Sequence, residues 1–244
     1  RKLISFGFDK NADIRAFNVK TKNNLTYFDI IINQNHLNQS IMIKNIVIPL
    51  PGEYNIRNAL GAIAVALELG IKEEVIKKSL LCFKGVERRF SFVGNVRGIS
   101  IIDDYAHHPT EIKNTLDAAR SLCTGKIIAI FEPHRYSRII DLYDDFINSF
   151  NKADYIFVTN IYAAGEKYIE GISKEKIVES IKSKGNENVN TFKNENKMEN
   201  ELINVCKKGD FIIFLGAGSI SKKARALENN MLELLSDNNS VNLN

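Results

Sequence analysis

Cysteine is scarce: Cys82, Cys123 and Cys206 are odd in number, scattered and in no paired spacing. That argues against a disulfide framework or a thiolate metal site and predicts three buried thiols. Long apolar runs are missing as well. Nothing approaches the roughly 20 residues that span a bilayer, and no charged start leads into an apolar segment with a small-residue cleavage site. A soluble, cytoplasmic protein is the expectation. Excess charge of one sign is small: 33 basic against 29 acidic residues leave a formal +4, spread along the chain rather than gathered into a stripe. Nucleic acid is not implied, nor is membrane insertion. Histidines number only four, and two of them are adjacent, His107 and His108.

What is present suits a globular α/β protein. With 244 residues, 44% hydrophobic and 25% charged, the chain can build one large or two modest domains. It opens on Arg1 and Lys2 and enters strand-like sequence within three residues, which predicts a piece of something longer. Apolar runs at Leu3–Phe8, Ile14–Val19, Leu25–Ile32 and Ile41–Ile48 predict a small, mostly antiparallel sheet. After Leu50-Pro51-Gly52, helices are expected over Asn55–Leu69, closed by Gly70, and over Lys72–Leu81. Phe83–Phe90 is the candidate hinge. Beyond it strands at Ser100–Ile102, Lys126–Phe131, Tyr155–Val158 and Phe211–Leu215 alternate with helices at Pro109–Leu122, Ser137–Phe150, Lys174–Lys182, Met198–Cys206 and Ser219–Leu235. Such alternation predicts a parallel sheet with helices on both faces. The Asn- and Lys-rich stretch 184–200 is expected to be a solvated loop with one weak edge strand and no chemistry, and 237–244 a disordered tail.

Three strand-end loops carry most of the chemistry: Asp103–His108, Glu132–Arg138 and Asn160–Glu166. In a doubly wound sheet all three open toward the carboxyl edge, where ligands bind. Arg135 and Arg138 suit bidentate capture of a carboxylate or phosphate, against the alternative of surface salt bridges. His107 and His108 could be one packed and one exposed imidazole, functional groups, or, with His134 and Asp104, ligands of a divalent ion; no helical His-x-x-x-His spacing supports the last. Arg88 and Arg89 follow Gly85 and could meet phosphate or simply be solvated. Asn55 and Asn58 share a helix face, with Asn55 favoured as an N-cap. Gly216-Ala217-Gly218 could bring amides to an anion at a helix N-terminus, although a tight turn is the better expectation from a lone G-x-G.

In order along the chain, LPGEYNIRNALGAIAVALELGI, FKGVERRF, DDYAHHPTEI, FEPHRYSR, DLYDDF, IYAAGE and GAGSI resemble the Mur ligase family from about residue 50 to residue 220. The resemblance implies the C-terminal portion of a central ATP-binding domain over 1–85 and a C-terminal, amino-acid-binding, Rossmann-like domain over 86–236. It also implies ATP-driven amide formation in peptidoglycan precursor synthesis, joining L-alanine to UDP-N-acetylmuramate through an acyl phosphate with the aid of Mg2+. The family's phosphate-cradling Gly-x-Gly-Lys-Thr/Ser loop and its UDP-sugar domain are not in this sequence, so the piece alone is expected to be inactive, with the Mg2+ ligands upstream. Matching motif positions imply Tyr105, His107, His134, Arg135 and Arg138 for the amino acid, His107 also as general base, and Asn55, Asn58, Arg89 and Asp104 for the nucleotide. Two positions depart from the family pattern: Tyr54 stands where His is usual, and Glu132 where Gln is usual. The alternatives are a ligase that recycles a tripeptide onto the same UDP-sugar, a non-catalytic or split-gene partner, and a histidine metal hydrolase.

Overall fold

The computed structural model describes residues 3–22, 25–34, 39–83 and 85–241. By its internal contacts the chain divides into two compact units, 1–85 and 86–244. In the first, β1 (Phe6–Gly7), β2 (Ile14–Lys22), β3 (Leu25–Gln34) and β4 (Gln39–Ile48) form a sheet in sequential order, parallel between β1 and β2 and antiparallel thereafter. Ile14, Phe28, Ile30, Ile43 and Ile46 of this sheet pack with Ile56, Leu60 and Ile63 of α1 (Glu53–Glu68), while α2 (Glu73–Leu81) adds Ile76. Gly70, at φ +70, follows the end of α1 in the left-handed conformation that the sequence assigns to a helix-terminating glycine.

The second unit is a six-stranded sheet in the order β5 (Ser91–Val96), β6 (Ile99–Asp104), β10 (Phe211–Leu215), β7 (Ile127–Phe131), β8 (Tyr155–Val158) and β9 (Val189–Asn190). All pairings are parallel except that of β5 with β6. The central strands read IIAIF and FIIFL because both faces of a parallel sheet are covered. Period-two alternation divides their side chains. Ile101, Ile128, Ile130, Ile212 and Phe214 form a core with Leu202 of α7 (Glu199–Val205) and Leu227 and Met231 of α8 (Ile220–Val241). Phe131, alternating with Ile130, meets Phe146 and Phe150 at ring-centroid distances of 5.7 and 5.2 Å.

Several elements depart from the sequence expectations. The strand β5 was not anticipated: it forms a hairpin with β6 through Arg97 and Gly98, both at positive φ as a two-residue primed turn requires, but without the usual Asn-Gly signal. The helix expected over Ser137–Phe150 is two short ones, α4 (Tyr136–Asp141) and α5 (Tyr143–Ile147), parted at Leu142 with φ −121 and ψ 25. Asp141, Asp144 and Asp145 surround the break, and aspartate favours helix starts over interiors. α8 runs on to Val241 through the segment expected to be disordered, since extending a nucleated helix costs little per residue; residues 242–244 lie outside the described residues. Cys123 and Cys206 are buried, but Cys82 is exposed just after α2. Asn55 is not an N-cap: α1 is capped at Gly52, and the Asn55 amide donates 2.6 Å to the Pro51 carbonyl instead.

The edge of the parallel sheet away from the three loops is pinned by Asp210. This buried carboxylate accepts the Lys126 and Lys207 N–H groups, each at 2.7 Å. Gly125 lies so close that a Cβ there would meet the Asp210 carboxylate and the Gly209 carbonyl carbon, the latter at 2.9 Å. Gly125→Ala is therefore expected to destabilise the chain by about 1–3 kcal/mol through overpacking. A urea transition with unchanged slope and a lower midpoint is the expected readout; an unchanged midpoint would refute the close-approach account.

Candidate active site

The three loops leave the carboxyl ends of β6, β7 and β8 on the same edge of the sheet, because those strands run parallel with only β10 between β6 and β7. The β7 and β8 loops are joined further out. Tyr162 N–H donates to the Pro133 carbonyl at 2.8 Å, and Arg135 N–H to the Tyr162 carbonyl at 2.9 Å, so His134 and Tyr162 form a parallel bridge. Their rings stack at 5.4 Å with an interplanar angle of 17°. His134 in turn meets His107 edge-on at 5.5 Å, and His107 meets Tyr105 at 5.1 Å. Four of the five residues implied for the amino acid are thus assembled directly, with Arg138 bound to His134. Arg135 is exposed at the start of α4 and holds a left-handed backbone at φ +67.

Hydrogen bonding fixes the imidazoles. Nδ1 of His107 lies 2.9 Å from the Tyr105 carbonyl and 3.3 Å from a Glu111 carboxylate oxygen. Neither partner is a donor, so Nδ1 carries the hydrogen and the neutral ring keeps its lone pair on Nε2. His134 is the reverse: Nδ1 lies 3.1 Å from Nη1 of Arg138, and since a guanidinium can only donate, Nδ1 accepts and Nε2 bears the hydrogen. Burial, followed by the charges of His107, Arg138 and Arg135, pushes the His134 pKa down to about 4. His108 does something else. It caps α3 (Pro109–Leu122), its Nδ1 accepting the Thr110 N–H, while Glu111 accepts the His107 and His108 N–H groups. Glu111 and Tyr162 were absent from the candidate list; the His108-x-x-Glu111 capping spacing could have shown the first, whereas Tyr162 needed the loop pairing.

The two aspartates that end β6 are buried. The Asp104 carboxylate accepts the Phe90 and Ala106 N–H groups, both at 2.8 Å, and burial pushes its pKa up to about 6 against the pull of those amides and of Arg89. It organises its own loop. Arg89 pairs with Glu111 at 3.6 Å, on the exposed side. Asp103 accepts the Ser221 hydroxyl at 2.5 Å and faces Nε of Arg88 at 3.7 Å. Asn58 is exposed on α1 in the first unit, beside the buried Asn55. Among the described residues no group of three or more His, Cys, Asp or Glu side chains could hold a metal ion. The possible convergence of His107, His108, His134 and Asp104 on one ion is not formed, since His108 and Asp104 are engaged with backbone amides. These residues do not fit Mg2+.

The Gly216-Ala217-Gly218 segment does bring amides to an anion, and the anion is internal. One oxygen of buried Glu132 accepts the Gly218 and Ile220 N–H groups at 3.1 and 3.3 Å, and the other accepts the Ser219 hydroxyl at 2.9 Å. The carboxylate thereby faces the positive end of α8. Gly218 is required by proximity rather than by turn geometry: a Cβ would stand 2.5 Å from Cγ of Tyr162. Tyr162, Glu132 and Ser219 also line a cleft of about 460 Å³, whose wall includes Glu195. Stretch 184–200 is therefore not inert. Glu195 accepts from Lys174 and Lys223, both at 3.1 Å, and from the Asn160 N–H at 2.7 Å, which ties the β8 loop to α8 and to α6 (Lys174–Ser183).

His134 provides a test of this electrostatic arrangement. In the folded chain it is expected to titrate near pH 4 rather than 6.5. An unfolded imidazole takes its proton near 6.5, so His134 is neutral to stability above that pH and lowers it progressively as pH falls from 6.5 to 4. Ring NMR should show the low midpoint, and Arg138→Ala should raise it by removing a nearby cation. A wild-type midpoint at or above 6.5 would contradict the assignment.

Residues 88–218 match the family described as Mur ligase, glutamate ligase domain, and residues 1–66 match the Mur ligase middle domain. A UDP-N-acetylmuramate--L-alanine ligase of Agrobacterium fabrum is 44% identical over 227 residues, covering 93% of this chain and 48% of the relative. One from Allorhizobium ampelinum is 42% identical over 234 residues, covering 96% of this chain and 50% of its own length. The crystal structure of a UDP-N-acetylmuramate-alanine ligase from Thermotoga maritima aligns with a TM-score of 0.73 at 26% identity, covering 94% of this chain and 48% of that one. The chain spans about half the length of the curated relatives it matches. With both of its units matched in sequence and its α/β architecture shared, the chain belongs to the Mur ligase family.

Proposed function

We propose that this chain forms the amino-acid-binding part, and a portion of the nucleotide-binding part, of an ATP-dependent ligase that adds L-alanine to UDP-N-acetylmuramate. The observation that carries the reading is the Tyr105–His107–His134–Arg138 chain of contacts, with Arg135 beside it. It combines cations that can hold a carboxylate with an imidazole whose Nδ1 hydrogen is anchored, so that Nε2 is the nitrogen that can take up a proton. The relatives at 42 and 44% identity bear that substrate pair in their names.

In the proposed reaction the carboxylate of UDP-N-acetylmuramate attacks the γ-phosphorus of ATP, releasing ADP and leaving an acyl phosphate. The alanine amine then attacks the acyl carbon, the tetrahedral intermediate expels phosphate, and the amine loses a proton. Arg135 and Arg138 hold the alanine carboxylate; Arg138 is already fixed through His134, so its remaining N–H groups present a set direction. His107 takes the proton at Nε2, while its Nδ1 hydrogen stays anchored on the Tyr105 carbonyl beside Glu111. Neutral His134 adds no charge that would repel an ammonium substrate awaiting deprotonation.

For the nucleotide the proposed residues are Asn55 and Asn58 at the adenine, Arg89 at phosphate and Asp104 at the ribose. Arg89 must exchange Glu111 for phosphate, and Asp104 must reach a hydroxyl with lone pairs not used by the Phe90 and Ala106 amides. Mg2+ would be held by residues beyond those described.

The test is a complete ligase carrying this chain, assayed with L-alanine and with the tripeptide alternative. Alanine-dependent phosphate release is expected, with Arg135→Ala or Arg138→Ala lowering kcat/KM for alanine on the order of a hundredfold. Incorporation of tripeptide alone would refute the alanine assignment, and loss of neither activity in both variants would refute the carboxylate role of the arginines.

A further inference from the structure

We propose that Arg88 is a positioning residue for His107, acting through Tyr105; the proposal rests on the functional reading above. The sequence presents Arg88 and Arg89 as equivalent neighbours. Their surroundings differ sharply. The Arg89 side chain is 44% exposed, pairs with Glu111 and lies 5.7 Å from the Tyr105 ring centroid, whereas the Arg88 side chain is only 20% exposed, comes closer to that ring and reaches inward. Its backbone is left-handed, at φ +59, a conformation that a residue with a Cβ seldom adopts.

From that position Arg88 meets three residues at the ends of two strands, β10 and β6. Its Nη2 donates 2.5 Å to the Gly216 carbonyl after β10. Its Nε faces Asp103 of β6, which is itself anchored by Ser221 of α8. Its guanidinium lies over the Tyr105 ring, 4.8 Å from the centroid, while its carbonyl accepts the Tyr105 N–H at 2.6 Å. Tyr105 is therefore held twice by the same residue, at the backbone and across the ring face.

Tyr105 passes that constraint to His107 in the same double fashion. Its ring meets the imidazole edge-on at 5.1 Å, and its carbonyl takes the hydrogen of Nδ1. Ring direction and tautomer, the two properties that decide where the Nε2 lone pair points, both depend on Tyr105. The contacts of Arg88 are with Gly216, Asp103 and Tyr105, so its influence on His107 passes through Tyr105. Among the described residues, Nε of Arg88 and Oδ1 of Asp103 are buried without a hydrogen-bond partner. Maximum hydrogen bonding is thus not what holds the guanidinium here; its placement over Tyr105 and at Gly216 is retained despite them.

Lysine keeps the charge, but a single ammonium cannot both reach the Gly216 carbonyl and cover the Tyr105 face. Arg88→Lys and Arg88→Met would be made in the complete ligase, with His107 ring resonances recorded alongside kinetics. The expected result for Arg88→Lys is a folded enzyme with shifted His107 resonances, kcat/KM for alanine reduced on the order of tenfold to a hundredfold and KM for the UDP-sugar unchanged. Arg88→Met should shift the same resonances; if it fails to fold, Arg88→Lys decides. A lower melting temperature with wild-type His107 resonances and wild-type alanine kinetics would overturn the proposal and make Arg88 purely structural. If the unaltered ligase ignores alanine, the functional reading fails, while the His107 resonances still decide whether Arg88 positions that ring.

Discussion

Glu132 is the interaction on which the site edge depends. A carboxylate is buried between the end of β7 and the first turn of α8, where two amides and a hydroxyl converge on it. Charge-assisted bonds of this kind contribute about 1.5–3 kcal/mol each, and removing the acceptor leaves buried donors unmet. The geometric consequence exceeds the energetic one. Closing α8 onto β7 brings Gly218 against Tyr162, Tyr162 stacks on His134, and His134 receives Arg138. Glu at position 132 therefore has a local physical account: both carboxylate oxygens are used, and they meet the end of α8 that favours negative charge.

The same edge keeps its charges apart by depth. Buried Asp103 and Asp104 lie beneath the loops, while Arg89, Glu111 and Arg135 lie at or near solvent. The imidazoles occupy the layer between. His134 is held neutral by burial and by the cations around it, and His107 is oriented by a carbonyl and a carboxylate. Arg88 and Arg135 both hold left-handed backbones, each costing on the order of 1–3 kcal/mol relative to a relaxed residue. Tight pairing of the loops is what maintains those conformations.

Much of this was legible in the chain. Continuous apolar runs marked β7 and β10, and polar residues immediately after the strands marked the edge where the site lies. Pro109 behind His108, with Glu111 beyond, marked the start of α3. What was hidden depended on tertiary context. β5 has an Arg-Gly turn and a weak alternating pattern, so the sequence assigned no strand there. Asn55 resembled a cap because Gly52, which does cap the helix, has no side chain to signal it. Glu195 lay in a stretch of low apolar content, and only folding brought Lys174 and Lys223 to it. Arg88 and Arg89 could not be told apart by composition; the sign of one φ angle sends the first inward.

The three thiols also have unequal fates in solution chemistry. Burial pushes Cys206 up to about 12 and raises Cys123, and a thiol must ionise before it attacks an electrophile. Cys82 alone among them is exposed. A maleimide dye added to the native chain would consequently settle on the end of α2, giving a single optical reporter in the first unit without any engineered cysteine. Labelling at the other two positions would in turn be a clock for the opening of the second unit.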